Sequence, residues 1–293
     1  MKFGYLGVNS AAGIRPGRLA AELESRGYES MWMPEHSHIP ADRRTPYPAG
    51  GELPDGYYHM MSPLVSLAAA AEATNTLTLA TGICLALEHD LVDLATMAST
   101  LDVLSEGRLL LGIGAGWNAE ELANHRPDLP FRSRYGALIE RVIALRTLWA
   151  DDPAACDGRW DQVASSWVYP KPLRQRIPIA LGLAGSVGLP LAAAHADEWC
   201  PIDVEMHAPD GRMSPSAAIQ QFRLAVAGAG RDPTDVPITI FAMKPPRADI
   251  VERYGALGVH RVVFGPMAMT QHRADDTLRQ LDTIQPLLAP HTG

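Results

Sequence analysis

Residues 77–113 read LTLATGICLALEHDLVDLATMASTLDVLSEGRLLLGI, and this stretch decides the fold class. It opens on a short apolar run, Leu77–Thr81, and closes on another, Arg108–Ile113, each of strand length. Between them Leu91, Leu94, Ala98, Leu101 and Leu104 recur at helical spacing and put one apolar face on a helix. Gly107 stands where helices favour glycine, just past the last turn. A strand, a helix and a second strand in this order are the pattern of a βα repeat, whose helical crossover is the connection that parallel strands need.

The same rhythm extends to both ends of the chain. Toward the N-terminus lie a strand at Phe3–Val8, a helix around Arg18–Arg26, a strand at Ser30–Met33, and a helix opened by Ser62-Pro63 that ends near Asn75. Toward the C-terminus, Leu138, Val142, Leu145 and Trp149 mark a further helix. Strands follow at Ile177–Leu181, Glu198–Ile202, Pro237–Phe241 and His260–Phe264, with helices at Leu189–His195, Pro215–Ala227, Ala248–Leu257 and Thr277–Leu288. The total is eight strands and eight helices. A doubly wound sheet usually stops at about six strands, so a (β/α)8 TIM barrel is the better fit. No linker divides residues 1–293, which form a single α/β barrel domain. Two segments leave the rhythm: a Pro-, Gly- and Tyr-rich insertion at 34–61, expected to be a lid, and an irregular excursion at 150–176.

Bulk composition excludes several classes. The 293 residues are 47% hydrophobic and 20% charged, ordinary for a globular protein, and carry a net charge of −8. A general nucleic-acid binder would need a basic face to neutralise phosphates. No run approaches the roughly 20 apolar residues of a membrane span, and the N-terminus lacks a signal-peptide pattern. Cys84, Cys156 and Cys200 are far apart with no CxxC, so neither a disulfide framework nor a zinc site is indicated. A reduced, cytoplasmic protein is the expectation, with no nucleic-acid or membrane partner.

In such a barrel the chemistry sits at the C-terminal ends of the strands. The second strand ends in Trp32-Met33-Pro34-Glu35-His36-Ser37-His38, a carboxylate and two imidazoles together. His36 suits general acid–base work near neutral pH. His36-x-His38 also admits a metal reading, since alternate strand residues point to one side. The other strand ends offer mainly glycine, which lines a surface for a large ligand and cannot hold a metal. The third strand ends in Thr81-Gly82-Ile83-Cys84 and the fourth in Gly112-Ile113-Gly114-Ala115-Gly116-Trp117-Asn118. Glycine there lets a flat ring or a phosphate approach the backbone. Gly182-Leu183-Ala184-Gly185-Ser186 leads into a helix and reads either as a phosphate cradle or as a tight turn.

With these residues assembled, the chain resembles the luciferase-like monooxygenase superfamily, and within it the F420-dependent oxidoreductase branch. The resemblance rests on Trp32-Met33-Pro34-Glu35-His36-Ser37-His38-Ile39-Pro40, on Leu101-Asp102-Val103-Leu104-Ser105-Glu106-Gly107-Arg108, and on Gly112 to Glu121. Tyr169-Pro170-Lys171-Pro172 and Ala196-Asp197-Glu198-Trp199 complete it. It implies a bacterial-luciferase-like barrel with the cofactor ring over the strand C-termini, Glu35 and His36 beside the ring, and a non-proline cis peptide near Gly82-Ile83. It places the phosphate end at Leu183, Ala184, Gly185 and Ser186, with Thr81, Gly82 and Ile83 at the ring and Ala115, Trp117 and Glu120 along the tail. Three positions depart from the pattern: Leu91 where proline is frequent, Leu183 where a second glycine is frequent, and Glu198 where glycine is usual. A side chain at 183 must point away from the phosphate.

The expected activity is an F420-dependent oxidoreductase in which His36, assisted by Glu35, exchanges the proton while a hydride passes between the deazaflavin and a small organic substrate. Tyr47, Tyr57, Tyr58 and His59 of the 34–61 segment would form the substrate wall. The alternatives are an FMN-dependent monooxygenase, a metal-dependent hydrolase using His36 and His38, and a non-catalytic flavin-binding protein. A homodimer is expected from the resemblance alone.

Overall fold

In the computed structural model of the chain, residues 1–203, 207–208, 211–212, 214–266, 269–270 and 273–288 are described. β1 (Lys2–Leu6), β2 (Ser30–Met33), β3 (Thr78–Thr81) and β4 (Leu109–Ile113) alternate with α1 (Pro16–Ser25), α2 (Pro63–Glu72) and α3 (Leu91–Leu104). After α4 (Ala119–His125) and α5 (Arg134–Ala150), β5 (Ala154–Asp157) and β6 (Gln162–Ser166) form an antiparallel hairpin. β7 (Ile179–Leu181), α6 (Gly185–His195) and β8 (Glu198–Trp199) follow, then a short pair, β9 (His207–Ala208) and β10 (Gly211–Arg212). The chain closes with α7 (Pro215–Gly228), β11 (Thr239–Ala242), α8 (Ala248–Ala256), β12 (Arg261–Phe264) and α9 (Ala274–Leu288).

Eight of these strands form one parallel sheet in the order β11-β12-β1-β2-β3-β4-β7-β8. Bridges from Trp199 to Ile238 and from Ile202 to Phe241 join its two edges, so the sheet closes into a barrel. All eight strands and eight helices read from the sequence are present. Three features were not anticipated: α4, the short β9–β10 pair, and the β5–β6 hairpin inside the stretch expected to be irregular. Prolines open α1, α2 and α7 at positions where no N–H is missed. Ser62 sits at the cap of α2 without a side-chain bond, whereas Asp90 caps α3 through Val92 N and Asp93 N. Leu91 therefore occupies a first-turn position at which proline and leucine are both tolerated, so that departure costs α3 nothing.

Most of the core lies between the strands and the helices. A second cluster fills the barrel itself, with Trp32, Ala80, Leu110, Ala180, Cys200, Phe241 and Val263. The indole of Trp32 is fully buried, donates to Ser30 Oγ at 2.9 Å and meets Phe241 edge-on at 5.1 Å. Its bulk requires glycine nearby, since a Cβ on Gly4 would lie 2.9 Å from its Nε1.

The barrel floor is ionic. Arg261 at the start of β12 pairs with Glu198 at the start of β8 and donates to Thr239 Oγ1 at 2.9 Å. Glu29, just before β2, takes the same guanidinium at 2.7 Å. Burial would raise Glu29, but the Arg261 and Lys2 charges and hydrogen bonds outweigh it and bring its pKa down to about 2. Glu198 moves the other way: burial pushes its carboxyl up, and Arg261 and Thr239 only partly offset that. Glu198, unusual by the resemblance, thus completes a buried network with Arg261 at the end of the barrel opposite the site.

Candidate active site

Parallel strands bring all their C-terminal ends to one face, which collects the segments after β2, β3, β4 and β7. The Gly82–Ile83 peptide is cis, as the resemblance implied. Ile83 is half-buried at the barrel mouth and, with Leu6 and Ile202, packs against the interior cluster. The expectation that strand-end glycines clear room for a ligand is corrected at two positions. A Cβ on Gly114 would lie 1.7 Å from Ile83 Cδ1, and one on Gly112 would lie 2.0 Å from Thr81 O. Those two glycines make room for the protein's own atoms. Thr81 is fully buried, with its hydroxyl donating to Gly112 O at 2.7 Å.

Glu35 and His36 leave β2 in different directions. Glu35 Oε2 accepts from Leu85 N at 2.7 Å, and Oε1 lies 3.0 Å from His89 Nε2. Burial works against both charges, but the mutual bond lowers the Glu35 pKa and raises that of His89, so the two form an ion pair. His36 Nδ1 instead lies 2.6 Å from Oε2 of Glu121, a fully buried residue of α4. Trp117 Nε1, a donor only, reaches His36 Nε2 at 3.2 Å. Nε2 is therefore the acceptor, and the ring proton sits on Nδ1, donated to Glu121. Ser37 N bonds the other Glu121 oxygen at 3.1 Å. The partner that holds His36 is thus Glu121, not Glu35. Its signal lay in Asn118-Ala119-Glu120-Glu121, the start of the helix that the sequence reading passed over.

Aromatic rings cover His36. Tyr57 and Trp117 lie 5.2 and 5.6 Å from it, Tyr47 packs on both at 5.5 and 5.9 Å, and Arg43 stacks over Trp117 at 5.5 Å. Tyr47 and Tyr57, two of the expected wall residues, are brought to the site, while Tyr58 is exposed. The 34–61 segment is tied at several points: Glu120 accepts from Arg44 N and Thr45 N at 3.3 Å, and Gly56 N donates to Met269 O at 2.9 Å. Asn9 and Met61 are joined by two bonds. Glu120 thus anchors this segment, its pKa lowered first by the hydrogen bond with Thr45. Ala115 packs into the core.

The metal pairing of His36 with His38 is corrected. His36 is committed to Glu121 and Trp117, while His38 bonds Ser37 Oγ at 2.9 Å and Asn124 Nδ2 at 2.8 Å. Among the described residues, only Glu35, Cys84 and His89 cluster as three ligand types, and both Glu35 oxygens are taken by hydrogen bonds.

The remaining features fit a flat cofactor with an anionic tail. Apolar Ile83, Leu6 and Ile202 stand at the mouth where a ring could rest. Leu183 is buried, and its backbone O accepts from Trp199 Nε1 at 2.8 Å. Ala184 caps α6 without a side-chain acceptor, Gly185 has φ +73°, and Ser186 is exposed. That leaves the first turn of an 11-residue helix without side-chain capping.

The fold and the site together define a (β/α)8-barrel protein with a histidine–carboxylate pair under an aromatic cover at the C-terminal ends of its strands. The chain belongs to the luciferase-like monooxygenase family, whose model matches residues 10–286. It is 35% identical over 295 residues to an uncharacterised protein of Mycobacterium tuberculosis, covering 99% of each. It is 25% identical over 225 residues to the F420-dependent hydroxymycolic acid dehydrogenase of the same species, covering 75% of this chain and 57% of that protein. The structure of monooxygenase RslO1 from Streptomyces bottropensis superposes with TM-score 0.76 at 18% identity over the whole of both chains. Like other members, the chain is an oxidoreductase. Among its described residues, no helix is long and apolar enough to cross a membrane.

Proposed function

We propose that this oxidoreductase uses coenzyme F420 and moves a hydride between it and a small organic substrate. The observation that carries the reading is His36, whose Nδ1–H is fixed on Glu121 and whose Nε2 keeps its lone pair, which accepts from Trp117 Nε1. When bound, the deazaflavin supplies the two-electron hydride chemistry. The chain's own part is to orient the substrate and to take or give one proton at His36 Nε2, with substrate replacing the Trp117 N–H there. Glu121 holds the tautomer and stabilises the imidazolium that forms. Tyr47, Tyr57 and Trp117 exclude water. Ile83 with Thr81 and Gly82 would border the ring, Leu183 to Ser186 would hold the phosphate, and Ala115, Trp117 and Glu120 would follow the tail. Glu35 supports this rim through Leu85 and His89.

The similarity to an F420-dependent dehydrogenase supports the deazaflavin, and the family's monooxygenases support FMN as the second reading. Fluorescence titration of the purified protein separates them. Tighter binding of F420 than of FMN is expected; the reverse, together with oxygen uptake in the presence of reduced FMN, would replace this reading by a flavin monooxygenase. His36→Ala should then abolish turnover while leaving F420 binding intact. We further infer a cytoplasmic homodimer. Trp167, Tyr169 and Leu173, all exposed on the segment after β6, supply apolar side chains that such an interface uses. Sedimentation velocity tests the dimer, and a monomer at all concentrations excludes it.

A further inference from the structure

Glu88 is an acid of the barrel mouth to which the proposed reaction assigns no role. Its side chain is 5% exposed, and its Oε2 is buried without a hydrogen-bond partner. A buried carboxyl oxygen left unpaired is costly, and far more so when the group is charged, which favours the protonated form. The carboxyl lies against Glu121 on one side and 3.9 Å from His125 Nε2 on the other. From α4 it faces Glu121 and His125, from the end of β2 it faces Glu35, and Cys84 and His89 lie on its own segment. Arg141 of α5 reaches that segment through Ala86 O and His89 O, but its charge is taken by a bidentate pair with Asp161. Burial first, then the Glu121 and Glu35 carboxylates, push the Glu88 pKa up to about 9, so it is protonated at neutral pH.

Beyond Glu88 the contacts reach the surface. His125 Nε2 lies 2.8 Å from Ser37 Oγ, which lies 2.9 Å from His38 Nδ1. Asn124 Nδ2 donates to His38 Nε2, so His38 Nδ1–H donates to Ser37 and the serine hydroxyl donates to His125 Nε2. Burial and the neighbouring His38 lower the His125 pKa, so this ring is a neutral acceptor at pH 7. His125 is 32% exposed and Ser37 is exposed.

We propose that Glu121, Glu88 and His125 form a proton conduit that connects His36 Nδ1 with solvent behind the closed aromatic wall. It rests on the reading of His36 as the proton-transferring group. A proton arriving at His36 Nε2 releases the Nδ1 proton to Glu121. Glu121 passes a proton to Glu88, and the proton already on Glu88 moves to His125 Nε2 once that ring has turned from the Ser37 hydroxyl and closed the 3.9 Å gap. His125 then releases a proton to solvent. One proton enters and one leaves, no electrons move, and Glu121 and Glu88 end as they began. His36 is left with its proton on Nε2 until that proton is given up and the Nδ1 proton returns by the reverse route. The direct route past Nε2 is blocked by Trp117, Tyr57 and Tyr47.

The test needs neither cofactor nor substrate. With 15N-labelled histidine, NMR reads the exchange of the His36 Nδ1 proton with water in the wild type, Glu88→Gln and His125→Asn. Slowing of about tenfold or more is expected in both variants, in line with the cost of removing one proton-transfer partner. A merely structural role would loosen the site and speed exchange. Unchanged or faster exchange in His125→Asn overturns the conduit, and this surface variant keeps the test valid where Glu88→Gln does not fold. Difference infrared spectra between neutral and alkaline pH should show a carboxylic-acid carbonyl band that Glu88→Gln lacks. If His36→Ala keeps turnover, the functional reading fails by itself; if exchange is unaffected while His36 is essential, only the conduit fails.

Discussion

His36 and Glu121 stand 85 residues apart in sequence and 2.6 Å apart at Nδ1 and Oε2. A buried carboxylate behind an imidazole fixes its tautomer and supports its positive form. Glu121→Gln keeps the volume and removes the charge. Its turnover should fall on the order of 10²-fold with F420 binding unchanged, in line with loss of general acid–base support. Steady-state rates of the F420 absorbance change provide the check, and retention of wild-type kcat would remove Glu121 from the mechanism.

Gly114 and Ile83 interlock at the barrel mouth, and a Cβ on Gly114 would lie 1.7 Å from Ile83 Cδ1. Gly114→Ala should destabilise the fold by about 1–3 kcal/mol through overpacking. Ile83→Ala in the same chain should recover part of that loss, because it removes the colliding atom. Denaturant midpoints of the two single variants and the double variant measure the coupling. Additive effects would show that the two positions do not share this space.

Glu198 and Arg261 define the opposite end of the barrel. Removing one partner of a buried pair leaves the other charge uncompensated, at a cost of roughly 3–5 kcal/mol. Glu198→Ala should show a loss of this size, moderated because Glu29 still holds Arg261. Chemical denaturation measures it, and activity per folded molecule should be unaffected, since no floor residue reaches the site.

The pH dependence of stability follows from Glu88. Its folded-state pKa is raised, so its contribution is fully present below the unfolded value of 4.5 and is lost as pH rises toward about 9. Across that window the folded state holds a proton that the unfolded state releases. The melting temperature of Glu88→Gln relative to wild type should therefore rise from pH 5 to 9 and then level off. His260, whose pKa burial lowers to about 4, changes stability on the acid side in both proteins and cancels in the difference. A flat difference would show that Glu88 is ionised in the folded protein.

Much of the fold was legible because each βα unit carries its own periodicity. The strands at Leu77–Thr81 and Arg108–Ile113 and the apolar face from Leu91 to Leu104 are local patterns, and they recur where expected. The helix Ala119–His125 was missed because its seven residues, with Leu122 as their one large apolar side chain, offer too little periodicity to detect. The β5–β6 hairpin was missed because its strands, AACD and QVASS, are short and contain Val163 as their one β-branched residue, too weak a strand signal to read.

The site was legible only in part. His36 and Trp117 stand in motifs and were named from them, whereas the role of Glu121 depends on α4 turning one of two adjacent acids inward. Glu120 holds Arg44 and Thr45 at the surface, while Glu121 is fully buried on His36. Sequence periodicity cannot distinguish two neighbours in so short a helix.

The amino-acid sequence alone determined the parallel barrel and the strand ends where chemistry collects, because these follow from local propensity and repeating pattern. Only the tertiary structure decided that Gly112 and Gly114 serve the protein's own packing, that Glu198 closes the floor with Arg261, and that Glu35 and His36 part to different partners. Those outcomes depend on which side chains converge from distant segments, and convergence is set by barrel closure rather than by any stretch of sequence.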